Sequence, residues 1–270
     1  MENIEKLIRS RRSVRTFADR PIEAEKLRQL MEFAENLKNP YGLPIEFRLL
    51  DAAEHGLSSP VISGGAAFYI GGKMKRAEHM EEAFGHAFEQ LILFAQSLEL
   101  GTVWMGGTMD RSIFEKAMAL TDGEVMPCVT PIGYAAGKMS IKEALMRKGI
   151  KADSRYPFGE LFFSGSFSAP LTPEKAGRLA LPLEMVRLAP SAVNKQPWRV
   201  IATDSAAHFY LRKSKGFSGG SAGNMQKTDM GIALCHFELA AELAGLSPVF
   251  SLSDPGIAAA DMEYIASYSF

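Results

Sequence analysis

Downstream of Pro21, apolar residues recur at helical spacing. Leu27, Leu30, Met31 and Ala34 follow the i, i+3, i+4, i+7 rule, and Pro21-Ile22-Glu23 opens the predicted helix. Pro40, Gly42 and Pro44 end it, and Phe47-Arg48-Leu49-Leu50 reads as a short strand. The same order returns in the second half. Leu171-Thr172-Pro173-Glu174 predicts a helix start, with Thr172 as N-cap and Pro173 in the first helical position. That helix runs to about Leu188, before Pro190, and Val200-Ile201-Ala202-Thr203 is the strand that follows.

Two further matches make the repetition more than shared helix-strand grammar. Pro44 and Asp51 answer Pro197 and Asp204 at a spacing of 153. A second, longer helix recurs at a spacing of 146, with Gly85 through Leu100 matching Gly231 through Leu246. Each copy is followed by an apolar segment with an aromatic residue, Val103-Trp104 and Val249-Phe250. The chain therefore reads as an internal duplication, with residues 1–165 as the first half and 166–270 as the second.

Composition narrows the class. A chain of 270 residues that is 47% hydrophobic and 23% charged buries a full core without disulfides. A net charge of −1 gives no pull toward nucleic acid or acidic membranes. The most apolar helical stretch, Ala83 to Leu100, is interrupted by His86, Glu89, Gln90, Gln96 and Glu99, so it predicts a core helix and not a membrane span. Met1 to Lys6 shows no secretory pattern, which makes a cytoplasmic protein the expectation. Cys128 and Cys235 lie apart in apolar surroundings and are expected as reduced structural thiols. The five histidines show no zinc spacing, so no metal is expected, and His236 reads as structural or surface.

Two segments carry candidate chemistry. Arg11-Arg12-Ser13-Val14-Arg15 puts three cations in five residues, forks suited to a phosphate and to carbonyl oxygens of a polar heterocycle. On a helical turn, Arg11 and Arg15 would share one face. Pro190-Ser191-Ala192-Val193-Asn194-Lys195-Gln196-Pro197-Trp198 packs small, amide-bearing and φ-restricted residues into a single turn. The halves differ at these places. Opposite Arg11 to Arg15 stand Glu160 to Ser164, and opposite Ser191, Asn194 and Gln196 stand Lys38, Tyr41 and Leu43. Each half keeps what the other lacks.

These two segments, with Leu100-Gly101-Thr102-Val103-Trp104-Met105-Gly106-Gly107, Pro131-Ile132-Gly133-Tyr134 and a basic segment through Arg155, resemble the FMN-dependent nitroreductase family. The chain is similar to the branch in which one subunit imitates the family's dimer. The resemblance implies an α+β fold of two similar halves, each a mainly antiparallel sheet with helices, packed as a pseudo-dimer. It also implies one FMN held between the halves, reduced by NADH or NADPH and reoxidised by a small-molecule acceptor such as a nitroaromatic or quinone in a ping-pong cycle. A flavin carrier or redox sensor without turnover is the alternative, and an apo homologue a second one.

By the same resemblance, Arg11 and Arg12 would meet the phosphate, Ser13 the ribityl chain or phosphate, and Arg15 the N1/O2 edge of the ring. Pro190, Ser191, Ala192 and Asn194 would bond the pyrimidine and ribityl edge. Pro131, Ile132, Gly133 and Tyr134 would bring a main-chain N–H to flavin N5, though Gly133 also reads as an ordinary strand end. Arg155, with Lys151 beside it, would complete the phosphate site. Gln196 either contacts the ligand or braces the loop, and Trp198 is either a packing anchor or a contact. Gly219-Gly220-Ser221-Ala222-Gly223-Asn224 reads as a mobile loop over the flavin. No protein nucleophile is required, and the oligomer is either the monomeric pseudo-dimer or a homodimer of it.

Overall fold

The computed structural model describes residues 3–217, 223–259 and 261–270. In the first half the order is α1 (Ile4–Ser10), β1 (Thr16–Phe17), α2 (Ala24–Glu35), β2 (Glu46–Asp51), α3 (Ala52–His55), β3 (Ser63–Gly64), β4 (Phe68–Lys75), α4 (Met80–Ser97), β5 (Gly101–Thr102), α5 (Arg111–Ala117), β6 (Glu124–Val125), β7 (Val129–Gly133) and α6 (Ile141–Gly149). The second continues with α7 (Phe158–Leu161), β8 (Phe162–Ser164), α8 (Ala180–Leu188), β9 (Trp198–Ala202), β10 (Ala206–Leu211), α9 (Met225–Leu243), β11 (Val249–Ser251) and β12 (Glu263–Ser269).

The first sheet has the antiparallel order β2-β4-β7-β5, and the second repeats it as β9-β10-β12-β11. Equivalent strands take equivalent places, so the architecture is the α+β pair of similar halves that the sequence predicts. One strand breaks the symmetry. β8 pairs parallel with β9, Phe162 beside Val200, and so adds a fifth strand to the second sheet. Phe158, Leu161 and Phe162 are buried in the core beneath that sheet. Residues 158–164, on the first side of the division expected at 165, thus add to the second sheet, where their apolar side chains find their burial.

The helix expected from Thr172 also starts later. Gly177 takes a left-handed φ of 54°, interrupting the backbone, and the α-helix begins at Ala180 after a 3-10 turn. Pro182 fits its first turn, where a missing N–H costs no hydrogen bond.

The halves meet along α4 and α9, which are buried over most of their length. The contact depends on two glycines. A Cβ on Gly85 would lie 2.1 Å from the Thr228 carbonyl oxygen, and one on Gly231 would lie 2.1 Å from that of Glu82. The two crossing residues are the pair matched at a spacing of 146, so the local symmetry passes between them. Deeper in the same interface, His236 Nδ1 lies 2.9 Å from the Met185 carbonyl and its Nε2 lies 2.9 Å from Glu89 Oε1. A carbonyl only accepts, so Nδ1 donates; a proton must then sit between Nε2 and the carboxylate as well. Both side chains are buried, which makes this a structural hydrogen-bonded pair across the halves.

Alanine has a helix propensity about 1 kcal/mol better than glycine, so propensity alone makes Gly231→Ala stabilising. The crossing predicts the opposite sign, a loss of about 1–3 kcal/mol as the helices are forced apart. Denaturant unfolding of the variant decides between them, and an unchanged or raised midpoint would contradict the close crossing.

Candidate functional site

The N-terminal arginines reach the site on extended chain. α1 ends at Ser10, Arg11 is already extended at φ −63°, ψ 131°, and Ser13 bridges to Thr102 beside β5. The helical-turn geometry is therefore corrected. Alternation along extended chain achieves the same gathering: residues 11, 13 and 15 share one side while Val14 turns into the core against Gly101. Arg12 points toward α6, where its Nη1 lies 3.2 Å from Glu143.

Two connected cavities open at the boundary between the halves, sharing Ser13, Ile150, Pro190 and Ser191 as walls. The first, about 190 Å³, is lined by Arg11, Arg12, Arg147 and Arg155, with Leu188 and Asn194 from the second half. The second, about 140 Å³, is more apolar. Arg15, Val103, Trp104, Gly106 and Cys128 contribute from the first half, and Ala192, Val193, Met225, Thr228, Asp229 and Ile232 from the second. The sequence separates Arg15 from Ala192 widely, and the fold puts them on one cavity.

The cavities are only partly neutralised: Arg147 pairs with Asp153 and Arg12 with Glu143. Arg11 Nη1, Arg15 Nη1 and Arg155 Nε are buried without a hydrogen-bond acceptor among the described residues. Desolvation holds all three guanidinium pKa values below the ordinary arginine value, and neighbouring arginines push the same way. For Arg11 and Arg15, carboxylates oppose the shift, Glu89 and Glu143 respectively. A buried cation without a paired acceptor is costly. An anion in the cavity would remove that cost.

The 190–198 segment divides its labour. Val193, Asn194 and Gln196 all take left-handed φ values, 52°, 57° and 47°, an arrangement that needs external support. Ser191 Oγ accepts from Gln196 N at 2.8 Å, and Ala192 N donates to Asp229 at 3.0 Å. Asn194 does not extend toward the apolar cavity. Its Nδ2 donates to the carbonyls of Lys151 and Ser154, and its Oδ1 accepts from Arg155, so it clamps the 151–155 loop while lining the cationic cavity. Gln196 is 3% exposed, accepting from Tyr156 N and donating to Asn194 O; of its two readings, the structure shows the brace. Trp198 is fully buried as a packing anchor, and Lys151 lines neither cavity.

Pro131, Ile132, Gly133 and Tyr134 are also absent from both cavities. β7 lies inside the first sheet with Ile132 in its core, and the missing Cβ of Gly133 makes room for the Phe17 ring. Tyr134 gives its hydroxyl to Glu23, and its ring receives Arg20 at 3.8 Å. The segment that does line the cavity is Trp104-Met105-Gly106. Met105 exchanges both backbone hydrogen bonds with Val129 and turns into the core, which leaves its two neighbours facing the cleft. Trp104 Nε1 donates to Glu89 Oε2 at 2.9 Å, which ties the indole to the Glu89–His236 pair. A Cβ on Gly106 would stand 3.2 Å from Cys128 Sγ and 3.3 Å from Met225 Sδ, so glycine keeps this wall low. Burial pushes the Cys128 thiol up to about 12, where it stays protonated and inert.

Sequence reasoning missed Trp104, Gly106, Arg147 and Asp229 as site residues. The first two lay within a segment already singled out. Asp229 had a signal of its own, a carboxylate followed by the apolar run Met230 to Cys235. The glycine-rich segment 219–224 lies mostly outside the described residues. Among those residues no cluster suited to a metal occurs, and no helix is long and apolar enough to cross a membrane.

The unpaired arginines predict a specific anion effect. Phosphate should raise the melting temperature of the cofactor-free protein by a few degrees over chloride at equal ionic strength, and Arg11→Gln should shrink that gain. Equal stabilisation of both proteins in a thermal scan would show that the anion acts elsewhere.

Comparison with known proteins follows the same lines. A solved structure from Thermotoga maritima, described as a "putative nitroreductase", shares the fold at a TM-score of 0.63 and 21% identity, covering 98% of this chain and 93% of that one. A Bacteroides thetaiotaomicron protein described as "Putative NADH dehydrogenase/NAD(P)H nitroreductase" aligns at a TM-score of 0.44 and 23% identity over 52% of this chain and 90% of its own. An "FMN-dependent Nitroreductase" of Clostridium difficile aligns at 0.42 and 20% identity over 53% and 94%. Among curated proteins no significant match is found. The model of the family described as "Putative TM nitroreductase" matches residues 3–241, nearly the whole chain, and the protein belongs to that nitroreductase family.

Proposed function

We propose that the protein is an FMN-dependent oxidoreductase that takes reducing equivalents from NADH or NADPH and passes them to a small-molecule acceptor. The observation that carries this reading is the pair of adjoining cavities, one cationic, the other more apolar, with arginine donors that have no acceptor among the described residues. A flavin mononucleotide has that same division, a phosphate at one end and a planar ring at the other. When bound, the flavin supplies the two-electron chemistry that the side chains lack.

The chain's own residues hold and orient it. Arg11 and Arg155, with Arg147 nearby, would hold the phosphate, and Ser13 lies where the two cavities join. Arg15 faces the ring-sized cavity and would favour the electron-rich state of its occupant. Trp104 and Gly106 form one wall and the Pro190–Val193 turn another.

Among the described residues one such site is found. At the symmetry-related place, Tyr41, His79 and Phe250 stand where Asn194, Met225 and Trp104 line the cleft. Tyr41 stacks on His79 with ring centroids 5.4 Å apart and meets Phe250 edge-on at 4.9 Å, and the cavity these rings line has no arginine in its wall. Glu160 takes the place of Arg11, so the cation is gone as well.

Three outcomes follow. Purified protein should carry, or take up, one FMN per chain by flavin release and quantitation; two per chain would contradict the single composite site. NADH or NADPH should bleach the bound flavin, and a quinone or nitroaromatic should restore its colour in repeated cycles, whereas bleaching without turnover would indicate a carrier. Arg11→Ala should weaken FMN retention about tenfold to hundredfold, the equivalent of about 1.5–3 kcal/mol for a charge-assisted contact. Unchanged affinity would remove Arg11 from the phosphate site.

A further inference from the structure

A carboxyl group lines the ring-sized cavity without a cation to pair with. Asp229 lies near the start of α9, is 4% exposed, and shares the cavity wall with Arg15, Ser191 and Ala192. Both of its oxygens face one donor, Ala192 N–H, at 3.0 and 3.1 Å. Among the described residues it has no ion pair and no second hydrogen bond. A buried carboxylate ordinarily needs two or three donors or a nearby cation to stay ionised, and one shared N–H falls short. The protonated form suits the place better. Protonation gives it an O–H donor that can be turned to whatever fills the cavity.

The surroundings agree. Burial pushes the Asp229 carboxyl up to about 8, and only the Ala192 hydrogen bond pulls it back. Arg15 lines the same cavity, but it does not reach Asp229 as an ion pair. Cys128 stays a thiol throughout the relevant range. On α9 itself, Lys227 turns to Glu82 and Glu263, and His236 turns to Glu89 of α4. His86 of α4 pairs with Glu238, and Arg187 of α8 with Glu184. These groups are paired with one another, whereas Asp229, which faces the cavity, has no ion pair among the described residues.

We propose that Asp229 keeps its proton at neutral pH as a neutral hydrogen-bonding wall of the cleft, and that its ionisation opposes occupancy by the anionic ligand. The inference rests on the flavin reading of the site. Loss of the proton places a negative charge beside a ligand that carries a phosphate and becomes more electron-rich on reduction. Binding above neutrality therefore takes up a proton. Asp229 also holds the turn through Ala192 N–H, which makes it a positioning residue whose charge state the ligand senses.

The sign is fixed by linkage. A carboxyl protonated in the bound state and ionised in the free state lowers affinity as pH rises through its ionisation, by up to about tenfold per pH unit. Asp229→Asn keeps the shape and the acceptor for Ala192 N–H but cannot ionise. FMN affinity of the cofactor-free proteins, read by flavin fluorescence quenching from pH 6.5 to 9.5, should fall for the wild type relative to Asp229→Asn above pH 8, approaching tenfold by pH 9. Parallel curves for the two proteins would overturn the proposal. An infrared difference spectrum between them, without flavin at pH 7, should show the carbonyl stretch of a protonated carboxyl in the wild type alone; its absence would also overturn it. Failure of the wild type to bind FMN at any pH would defeat the flavin reading instead, and the infrared band would still decide whether Asp229 holds its proton.

Discussion

The close crossing of α4 and α9 at Gly85 and Gly231 is the constraint on which the rest of the molecule depends. With backbone against backbone at that point, the N-terminal part of α9 lies against the first half. Met225, Thr228, Asp229 and Ile232 consequently reach a cavity whose other wall is Trp104, Gly106 and Arg15. The buried Glu89–His236 pair crosses the same interface and also holds the Trp104 indole. An interface that packs the halves together and a wall of the cleft are therefore parts of one structure. Displacing the helices would disturb both.

Electrostatics gives the cleft its direction. At one end, Arg11 and Arg155 are desolvated and incompletely satisfied, with Arg147 close by. At the other, Asp229 is buried with a single N–H to share. A ligand with its anionic group at the first end and a hydrogen-bonding ring at the second relieves both. The symmetry-related place offers neither feature. Ala83 stands at the position equivalent to Asp229, and the cavity lined by Tyr41, His79 and Phe250 has no arginine in its wall.

Much of this was legible in the sequence, and the parts that were not have physical reasons. The repeat spacings of 146 and 153 correctly paired β2 with β9 and α4 with α9, because apolar periodicity and turn residues act locally. Arg11, Ser13, Arg15, Pro190, Ser191 and Ala192 come together as expected, although Arg11 and Arg15 do so along extended chain. The Pro131–Tyr134 segment misled because glycine at a strand end signals close approach without naming what approaches. Here it is the Phe17 ring. Asn194 and Gln196 carry amides that could serve a ligand or a loop, and composition cannot choose between those acceptors. The strand at Phe162–Ser164 crossed the expected boundary because parallel pairing with β9 is a long-range event with no local signature.

The central claim is that a single composite site forms between the halves, with the phosphate end at the arginines. A crystal structure of the protein grown with FMN tests this most directly. The account predicts one flavin per chain, its phosphate within hydrogen-bond distance of Arg11 and Arg155 and its ring between the Trp104–Gly106 wall and the Pro190–Val193 turn. Flavin lodged beside Tyr41 and Phe250, or held wholly by one half, would contradict it.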